Sequence, residues 1–206
     1  MLEPYASAEK RAELVRAAAR LLHEQGFQRT TLADVAGRSG VALGNVYYYF
    51  RTKDALAEAV IAAHEDALRE RFASWVKAHR EPRARLRCLI RAPLDVADQV
   101  IQFGCPHGSL CQELEKLGPR ARLSKASARL LSVYVAWAAE QFRAHGIARR
   151  EASALAADLV AAVQGTILVA HTMRSRDLLV QQLRRIEHWL DDALLRQRSR
   201  STYRGT

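Results

Sequence analysis

Apolar positions recur every three or four residues over most of the chain, and this spacing predicts helices. The first stripe, Leu14, Ala18, Leu21 and Leu22, lies in a segment from about residue 8 to 25. Gly26 should stop that helix, and Phe27 is expected to close a small core. No segment alternates apolar and polar residues with the β-branched and aromatic enrichment of a strand. The pattern therefore predicts an all-α protein.

Residues 30–53 contain the strongest local signals for helix ends. Thr31 stands three residues before Asp34, which is the spacing of a capping box at the start of a helix. Gly40 follows that helix and tolerates the left-handed backbone that a tight turn between helices requires. The segment therefore predicts a short helix followed by a tight turn.

A second short helix is predicted from about residue 42 to 50. Val46 and Phe50 stand four residues apart and would anchor this helix on the core. The other side chains then lie on other faces, and three successive tyrosines beside a glycine and an asparagine make a poor core. The segment as a whole predicts a helix-turn-helix whose reading helix is exposed.

These residues resemble the DNA-binding motif of the tetracycline-repressor (TetR) family. The positions that match the family pattern in register are Thr31, Val35, Ala36, Gly40, Val41, Gly44, Val46, Tyr47, Phe50 and Lys53. The sequence departs from the pattern at Ser39, Ala42 and Leu43, where relatives usually have alanine, serine and a polar or basic residue. The resemblance implies an N-terminal three-helix domain and a C-terminal helical domain for ligand binding and dimerisation.

The rest of the chain fits that layout. A long fourth helix is predicted from about residue 52 to 77, and Pro82 opens a fifth helix to about 103 that Pro93 should kink or interrupt. The later helices are predicted at 109–117, 119–145, 149–173 and 176–197. That gives about nine helices. We place the helix-turn-helix domain at 1–53 and the ligand-binding and dimerisation domain at 54–206.

The reading helix and its flanks supply the residues that we expect to contact DNA. Asn45 is the best candidate, since an amide can bond two adenine atoms together. Leu43 could pack against a thymine methyl, and tyrosine hydroxyls can bond phosphates without reading sequence. The full expected set is Thr31, Leu43, Gly44, Asn45, Tyr47, Tyr48, Tyr49 and Lys53. The alternative is that a tyrosine belongs to the core and that Lys53 is merely solvated.

The last two helices carry strong apolar stripes. The stripes consist of Leu155, Leu159, Ala162, Val163 and Ile167, and of Leu179, Leu183, Ile186, Leu190 and Leu194. They could form an internal core or a partner interface. The resemblance favours the interface, because family members typically pair these two helices from each subunit. A homodimer through 149–173 and 176–197 would present two reading helices to a near-palindromic duplex.

The resemblance also implies an apolar ligand pocket among the fifth to eighth helices. The plausible lining residues are Phe103, Leu110, Leu114, Tyr134, Trp137, Gln164, His171 and Met173. Each of them alone could instead be ordinary core.

The run from Gly104 to Cys111 is similar to a Gly-Cys-x-x-Gly-x-Leu segment in one subset of the family, some of whose members respond to electrophiles or oxidants. Cys105 lies just before a helix start with His107 nearby, an arrangement that favours a reactive thiol. Cys111 could then resolve a sulfenate on Cys105. The alternatives are a small cysteine that fixes a tight corner and a metal site, which would lack a fourth ligand.

Composition and charged content are those of an ordinary globular protein. The chain has 206 residues, of which 49% are hydrophobic and 26% charged, as in an ordinary globular protein. Its net charge of +10 favours DNA, but residues 1–55 hold only eight basic and six acidic residues, so charge does not locate the site. The longest uncharged run, between Asp158 and Arg174, has 15 residues and is too short to span a bilayer comfortably. The N-terminus has no apolar signal core, so we expect a cytoplasmic protein with reduced thiols.

Two other function classes fit less well. The sequence has no nucleophile elbow, phosphate loop, zinc-protease signature or paired loop carboxylates, so we do not expect an enzyme. A bulk DNA binder acting through charge alone would show little sequence preference. We expect a transcriptional regulator without a metal or cofactor. It would be a homodimeric repressor that a small-molecule or thiol-reactive inducer releases from double-stranded DNA at a palindromic operator.

Overall fold

Ten helical segments make up the part of the chain that the structure describes, residues 3–116 and 121–203. In this computed structural model they are α1 (Glu3–Arg29), α2 (Leu32–Ser39), α3 (Leu43–Tyr49), α4 (Lys53–Ala78), α5 (Pro82–Asp95), α6 (Ala97–Phe103), α7 (Pro106–Lys116), α8 (Ala121–Ala144), α9 (Arg149–Thr172) and α10 (Arg176–Tyr203). No strand occurs within these described ranges. The predicted all-α layout is confirmed, with one of the predicted helices divided in two.

The division falls within the predicted fifth helix. Between α5 and α6, Val96 leaves helical geometry with φ −128° and ψ 33°. Pro93, three residues earlier, has no backbone N–H to donate, and its ring crowds the preceding turn. The interruption predicted from this proline is therefore confirmed, and the break itself lies at Val96.

Gly26 interrupts the helical conformation near the end of α1. Its φ of 85° and ψ of 167° lie in a region that essentially only glycine adopts without strain. Phe27, the next residue, is 1% exposed and so fills the core beside the break. Both predictions for this corner, the stop at Gly26 and the core position of Phe27, are confirmed.

The chain divides into two compact units, and each unit is built from two separate segments. The first unit is the chain up to Leu68 together with Pro106–Leu131, and the second is Arg69–Cys105 together with the chain from Ser132 onward. Helices α4 and α8 therefore contribute residues to both units. The domain boundary predicted after residue 53 is a functional one and stays a prediction.

The first unit is held by an apolar core and by ion pairs. Helix α7 packs on α1, and its Leu110 and Leu114 are 3% and 0% exposed. Glu58 and Glu65 of α4 pair with Arg122 and Arg129 of α8 at 2.7 and 3.0 Å. Because both pairs are spaced by seven residues, they fix the register of the two helices in this unit.

The second unit buries the apolar stripes of α9 and α10. The α10 residues Leu179, Leu183 and Leu190 are at most 1% exposed, and Leu159 of α9 is 0% exposed. The two helices are joined by a short turn and pack against each other, so their stripes meet within one chain. The buried stripe residues therefore belong to the core of one chain, as the alternative predicted, whereas Ala162 of the α9 stripe is exposed. The homodimer through 149–173 and 176–197 stays a prediction.

Arginines of α5 and carboxylates of α10 also join the second unit. Asp191 accepts hydrogen bonds from Arg83 at 2.7 Å and from Arg87 at 2.6 Å. Arg91, one turn further along α5, pairs with Glu187, one turn earlier on α10. The bond from Arg83, aided by that from Arg87, holds the pKa of Asp191 below its usual value.

Helix α9 is long and apolar enough to cross a membrane by length and composition, and it is the one helix of this kind within the described residues. The core helix of a soluble protein passes the same test, so length and composition carry no membrane assignment. One face of α9 packs on α10, as described above.

Candidate nucleic-acid interface

The capping box at the start of α2 is present as predicted. Thr31 is the N-cap residue, and its Oγ1 accepts a hydrogen bond from the Asp34 N–H at 3.1 Å. In return the Thr31 N–H and hydroxyl donate to Asp34 Oδ2 at 2.8 and 2.7 Å. These hydrogen bonds, that of the hydroxyl first, hold the pKa of the Asp34 carboxyl below its usual value.

The turn between α2 and α3 is built from Ser39 and Gly40. Gly40 caps α2 in the left-handed conformation, with φ 71° and ψ 8°. The Ser39 hydroxyl donates to the Val35 carbonyl at 2.8 Å and accepts from the Val41 N–H at 3.3 Å. Ser39, one of the departures from the family pattern, thus links the end of α2 to the turn through its hydroxyl.

Helix α3 presents most of its side chains to water. Val46 and Phe50 are 0% and 3% exposed and anchor it, as predicted. Leu43, Tyr47 and Tyr48 are 41%, 51% and 78% exposed, and Gly44 and Asn45 are also exposed. The helix, with the sequence LGNVYYY, carries no charged residue. An exposed, uncharged surface of aromatic, amide and backbone groups can approach the edges of base pairs closely.

Tyr49 differs from the two tyrosines before it. It is half-buried, its hydroxyl donates to the Ser7 hydroxyl at 3.2 Å, and its ring lies edge-on to that of Tyr48 at 5.0 Å. Tyr49 therefore joins α3 to α1, whereas Tyr47 and Tyr48 point their rings into solvent. The expected phosphate contact of Tyr49 stays a prediction.

Lys53 also makes contacts within the first unit. Its Nζ donates to the carbonyls of Phe27 and Gln28 at 2.8 and 3.2 Å and lies 4.4 Å from the centre of the Phe27 ring. The Thr31 hydroxyl is likewise used in the capping box. Phosphate contacts at these two helix starts stay predictions, and they would have to share the polar groups with these internal bonds.

Two further contacts hold the helix-turn-helix, and sequence reasoning missed both. Arg38 of α2 forms a two-pronged ion pair with Glu24 of α1, with distances of 3.2 and 2.8 Å. Glu113 of α7 accepts hydrogen bonds from the N–H groups of Phe27 at 2.7 Å and Gln28 at 2.8 Å. The partners are 14 and more than 80 residues apart, so no local pattern in the sequence signals them.

The outer face of α9 is apolar and built from small residues. We define it as the exposed residues Ala154, Ala157, Ala161, Ala162, Gly165, Leu168 and Val169. Leu168 and Val169 are 53% and 44% exposed. A Cβ added to Gly165 would meet no atom within 4 Å. Asp158 is the charged residue exposed in this stretch. The α9 outer face thus offers another helix a close approach, and it shares Ala162 with the stripe that the sequence suggested.

Two cavities lie in the second unit. One, of about 450 Å³, is lined among others by Arg83, Arg87 and His145. The other, of about 540 Å³, is an open groove lined by Phe72 and Trp137, whose rings stack with centroids 4.4 Å apart. Trp137 is the residue that the predicted pocket shares with these cavities.

The other predicted ligand residues are dispersed. His107, Leu110, Cys111 and Leu114 belong to the first unit, and Phe103, Cys105, Tyr134, Gln164, His171 and Met173 belong to the second. Leu110 and Leu114 are core residues, whereas Met173 is 62% exposed. Burial raises the pKa of the Tyr134 hydroxyl above its usual value. The predicted pocket stays a prediction.

The cysteines and histidines of the described chain show no metal-binding cluster of three or more side chains. The Cys111 thiol donates to the Ser127 carbonyl at 3.0 Å, and His171 Nδ1 lies 3.0 Å from the Ile101 carbonyl. His64 and His107 meet edge to face, with ring centroids 4.7 Å apart. Burial, aided by the charge of His23, lowers the pKa of His64 to about 4.

Comparisons with known proteins agree with this geometry. Residues 14–60 match the family model of bacterial regulatory proteins of the tetR family, and residues 82–185 match the C-terminal domain of LmrA/YxaF-like transcriptional regulators. The chain is 30% identical over 153 residues to the HTH-type transcriptional regulator BetI of Burkholderia ambifaria, covering 60% of this chain and 77% of that protein.

Solved structures share the fold. The regulatory protein TetR from Rhodobacter sphaeroides is 27% identical, with a TM-score of 0.74 over 86% of this chain and 96% of that one. A TetR transcriptional regulator from Legionella pneumophila, 16% identical, has a TM-score of 0.77 over 87% of this chain and 94% of that one.

Proposed function

We propose that this chain, which belongs to the TetR family of transcriptional regulators, is a homodimeric repressor of a palindromic operator. Family membership makes it a DNA-binding regulator and not an enzyme. The observation that carries the finer proposal is α3, an exposed and uncharged helix that Val46 and Phe50 anchor on the core, after the capped helix α2 and the left-handed Gly40. A helix held in this way is suited to the major groove.

Within α3, we assign base reading to Asn45 and Leu43 and orientation to the tyrosines. Asn45 is exposed, so its amide is available to a base edge, and Gly44 beside it allows the backbone to come close. Tyr47 and Tyr48 present hydroxyls that can donate to phosphates. Tyr49, Thr31 and Lys53 complete the proposed contact set from the edge of the helix-turn-helix.

The second copy is proposed to pair through the α9 outer face together with α10. Small residues let two helices approach closely, and an exposed apolar surface of this extent is rarely left in water. In a two-fold dimer the same face meets itself, so each residue counts twice. Such a dimer would place two α3 helices on successive major-groove faces of a palindrome.

Release of DNA is proposed to follow binding of a small molecule in the C-terminal region, or modification of Cys105 with Cys111 as partner. The aromatic groove at Phe72 and Trp137 supports a site for an apolar ligand in the second unit. The inducer must favour the state that does not bind DNA, typically by about 1–3 kcal/mol of coupling free energy. We expect the protein to act in the cytoplasm without a cofactor.

Selection of bound duplexes from a randomised DNA pool tests the proposal. We expect a palindromic consensus, because two identical reading helices related by a two-fold axis select identical half-sites. A single unrepeated half-site would contradict the dimer, and the absence of enrichment would contradict sequence-specific repression. The selected operator then allows candidate ligands and thiol oxidants to be screened for release.

A further inference from the structure

We propose that Glu113 is a positioning residue for DNA reading, because its carboxylate fixes the end of α1, after the break at Gly26 and just before α2. The inference rests on the proposed role of α3 in reading the operator, and it adds the residue that sets the orientation of the helix-turn-helix. Glu113 lies on α7, far from α3 in sequence, and its carboxylate bonds the backbone of Phe27 and Gln28, which are outside the proposed DNA-contact set.

The peptide units of Phe27 and Gln28 are held by opposite charges on their two sides. The Glu113 carboxylate accepts both N–H groups, at 2.7 and 2.8 Å. The Lys53 ammonium donates to both carbonyls of the same residues, at 2.8 and 3.2 Å. Each charge faces the end of the peptide dipole that it stabilises, and hydrogen bonds to charged groups are the strong class. Two residues of backbone are therefore clamped between α7 and the start of α4.

Gly26 leaves the space that the carboxylate occupies. A Cβ at this position would lie 2.8 Å from Glu113 Oε2, closer than real Cβ contacts. The φ of 85° at Gly26 is also a backbone conformation that other residues rarely adopt. Glycine is thus required here for its conformation and for the close approach of Glu113.

The clamped backbone leads directly into the helix-turn-helix. The Thr30 hydroxyl donates back to the Gly26 carbonyl at 2.7 Å, and Thr31 then starts α2 with its capping box. Helix α2 packs on α3 through the turn at Gly40. Because each joint is hydrogen-bonded, the position of α7 sets the orientation of α3. Without Glu113 a smaller fraction of molecules holds the orientation that binds the operator, and apparent affinity falls by that fraction.

Glu113→Gln in the full-length protein tests the proposal, with Glu115→Gln as the matched control. Glu115 lies on the same helix, and its carboxylate bonds to Ser124, so the control removes the same charge without touching the clamp. We expect Glu113→Gln to lose roughly tenfold in operator affinity or more, the equivalent of about 1.4 kcal/mol. The loss on random DNA should be smaller, and Glu115→Gln should bind both as the wild type does.

Amide hydrogen exchange supplies a readout that needs no DNA. Exchange at Phe27 and Gln28 should be faster in Glu113→Gln and unchanged in Glu115→Gln. Faster exchange with unchanged operator affinity would overturn the positioning role, and unchanged exchange would overturn the clamp itself. If the wild type selects no operator, the proposed function fails, whereas the exchange result still decides whether the clamp exists.

A double-mutant cycle measures the coupling between Glu113 and Gly26 and keeps the proposal testable if one single variant folds poorly. Gly26→Ala should weaken operator binding because its Cβ displaces the carboxylate, and it should do so less in a Glu113→Ala background, where that clash is absent. Equal losses in both backgrounds would overturn the inference that Glu113 and Gly26 act together.

Discussion

Helix α3 and helix α9 both expose apolar side chains to water, but the two surfaces differ in the size and polarity of those side chains. On α3 they are large, and Tyr47 and Tyr48 end in hydroxyls. On the α9 outer face they are mostly alanine, with Gly165 near the middle. Large amphipathic groups suit a wet, charged partner such as DNA, and small apolar groups suit a dry helix–helix contact. The comparison teaches that exposure alone does not identify a partner, whereas side-chain chemistry does.

Gly165→Glu should weaken the proposed dimer, and among the predicted changes it has the largest expected effect. The protomer has open space at Gly165, so the substitution should not disturb its fold. In a dimer it would bury an unpaired charge, which costs about 2–5 kcal/mol, or roughly 30-fold to 4,000-fold in dimer affinity. Sedimentation equilibrium measures the change.

Gly165→Ala is the control for that prediction. Alanine keeps the surface small and improves helix propensity by about 1 kcal/mol, so the dimer should persist. A Gly165→Glu protein that remains as dimeric as the wild type would remove the α9 outer face from the interface.

Asn45→Ala should weaken binding of α3 to the operator. We expect operator affinity to fall by about 1–3 kcal/mol, because a pair of hydrogen bonds to one base is lost. Affinity for random DNA and the affinity between the two protomers should both hardly change. Titrations of the selected operator and of a scrambled duplex at one salt concentration measure the difference. Equal losses on the two duplexes would leave Asn45 without a reading role.

Acid should impair DNA binding by α3 before it impairs dimerisation by α9, because the half-buried His64 lies in the first unit. Its pKa of about 4 in the folded protein lies below the ordinary histidine value of about 6.5, so the unfolded chain binds the proton more tightly. The stabilisation is complete above about pH 6.5 and is lost as the pH falls towards 4. We expect the free energy of unfolding at about pH 5 to be about 2 kcal/mol lower than at about pH 8 from this group.

Urea unfolding at the two pH values, followed by circular dichroism, measures this effect. His64→Gln should flatten the pH dependence, whereas His188→Gln, which alters an exposed histidine of α10, should leave it unchanged. DNA binding should fail at a higher pH than dimerisation does. Loss of both at the same pH would contradict the assignment of the effect to the first unit.

Tyr48→Phe should have the smallest effect on DNA affinity. It tests whether this tyrosine orients α3 through a phosphate contact rather than reading bases. Removal of one hydroxyl from a phosphate contact should cost about 0.5–1.5 kcal/mol on operator and random DNA alike. Tyr49→Phe is the matched control, since its hydroxyl bonds Ser7 and should matter less to DNA. Fluorescence anisotropy on both duplexes resolves the difference, and a larger loss for Tyr49→Phe would reverse the assignment.

The helix-turn-helix could be predicted from the sequence because its signals are local. The capping box spans three residues and Gly40 marks the turn, so neighbouring residues carry the information. The all-α fold followed from helical periodicity and from the resemblance. The stripes of α9 and α10 left two interpretations open, because an apolar stripe has the same spacing whether it faces its own chain or another.

The contacts that could not be predicted are those between distant segments. Glu113 meets Phe27 and Gln28 across 86 and 85 residues of chain, and Lys53 reaches the same two residues across 26 and 25. No spacing rule links such partners. The sequence likewise predicted an interruption near Pro93 but not the residue at which it occurs. Packing decides which residue after the proline leaves the helix.

The absence of charge on α3 has a consequence for how such a regulator can evolve. Attraction to DNA at a distance depends on charged residues, and within the first 53 residues these lie outside α3. Substitutions among the exposed residues of α3 can therefore alter which operator is preferred while leaving the search along bulk DNA, and its response to salt, nearly unchanged. Target choice and target finding are carried by separate residues, so selection can act on one without disturbing the other.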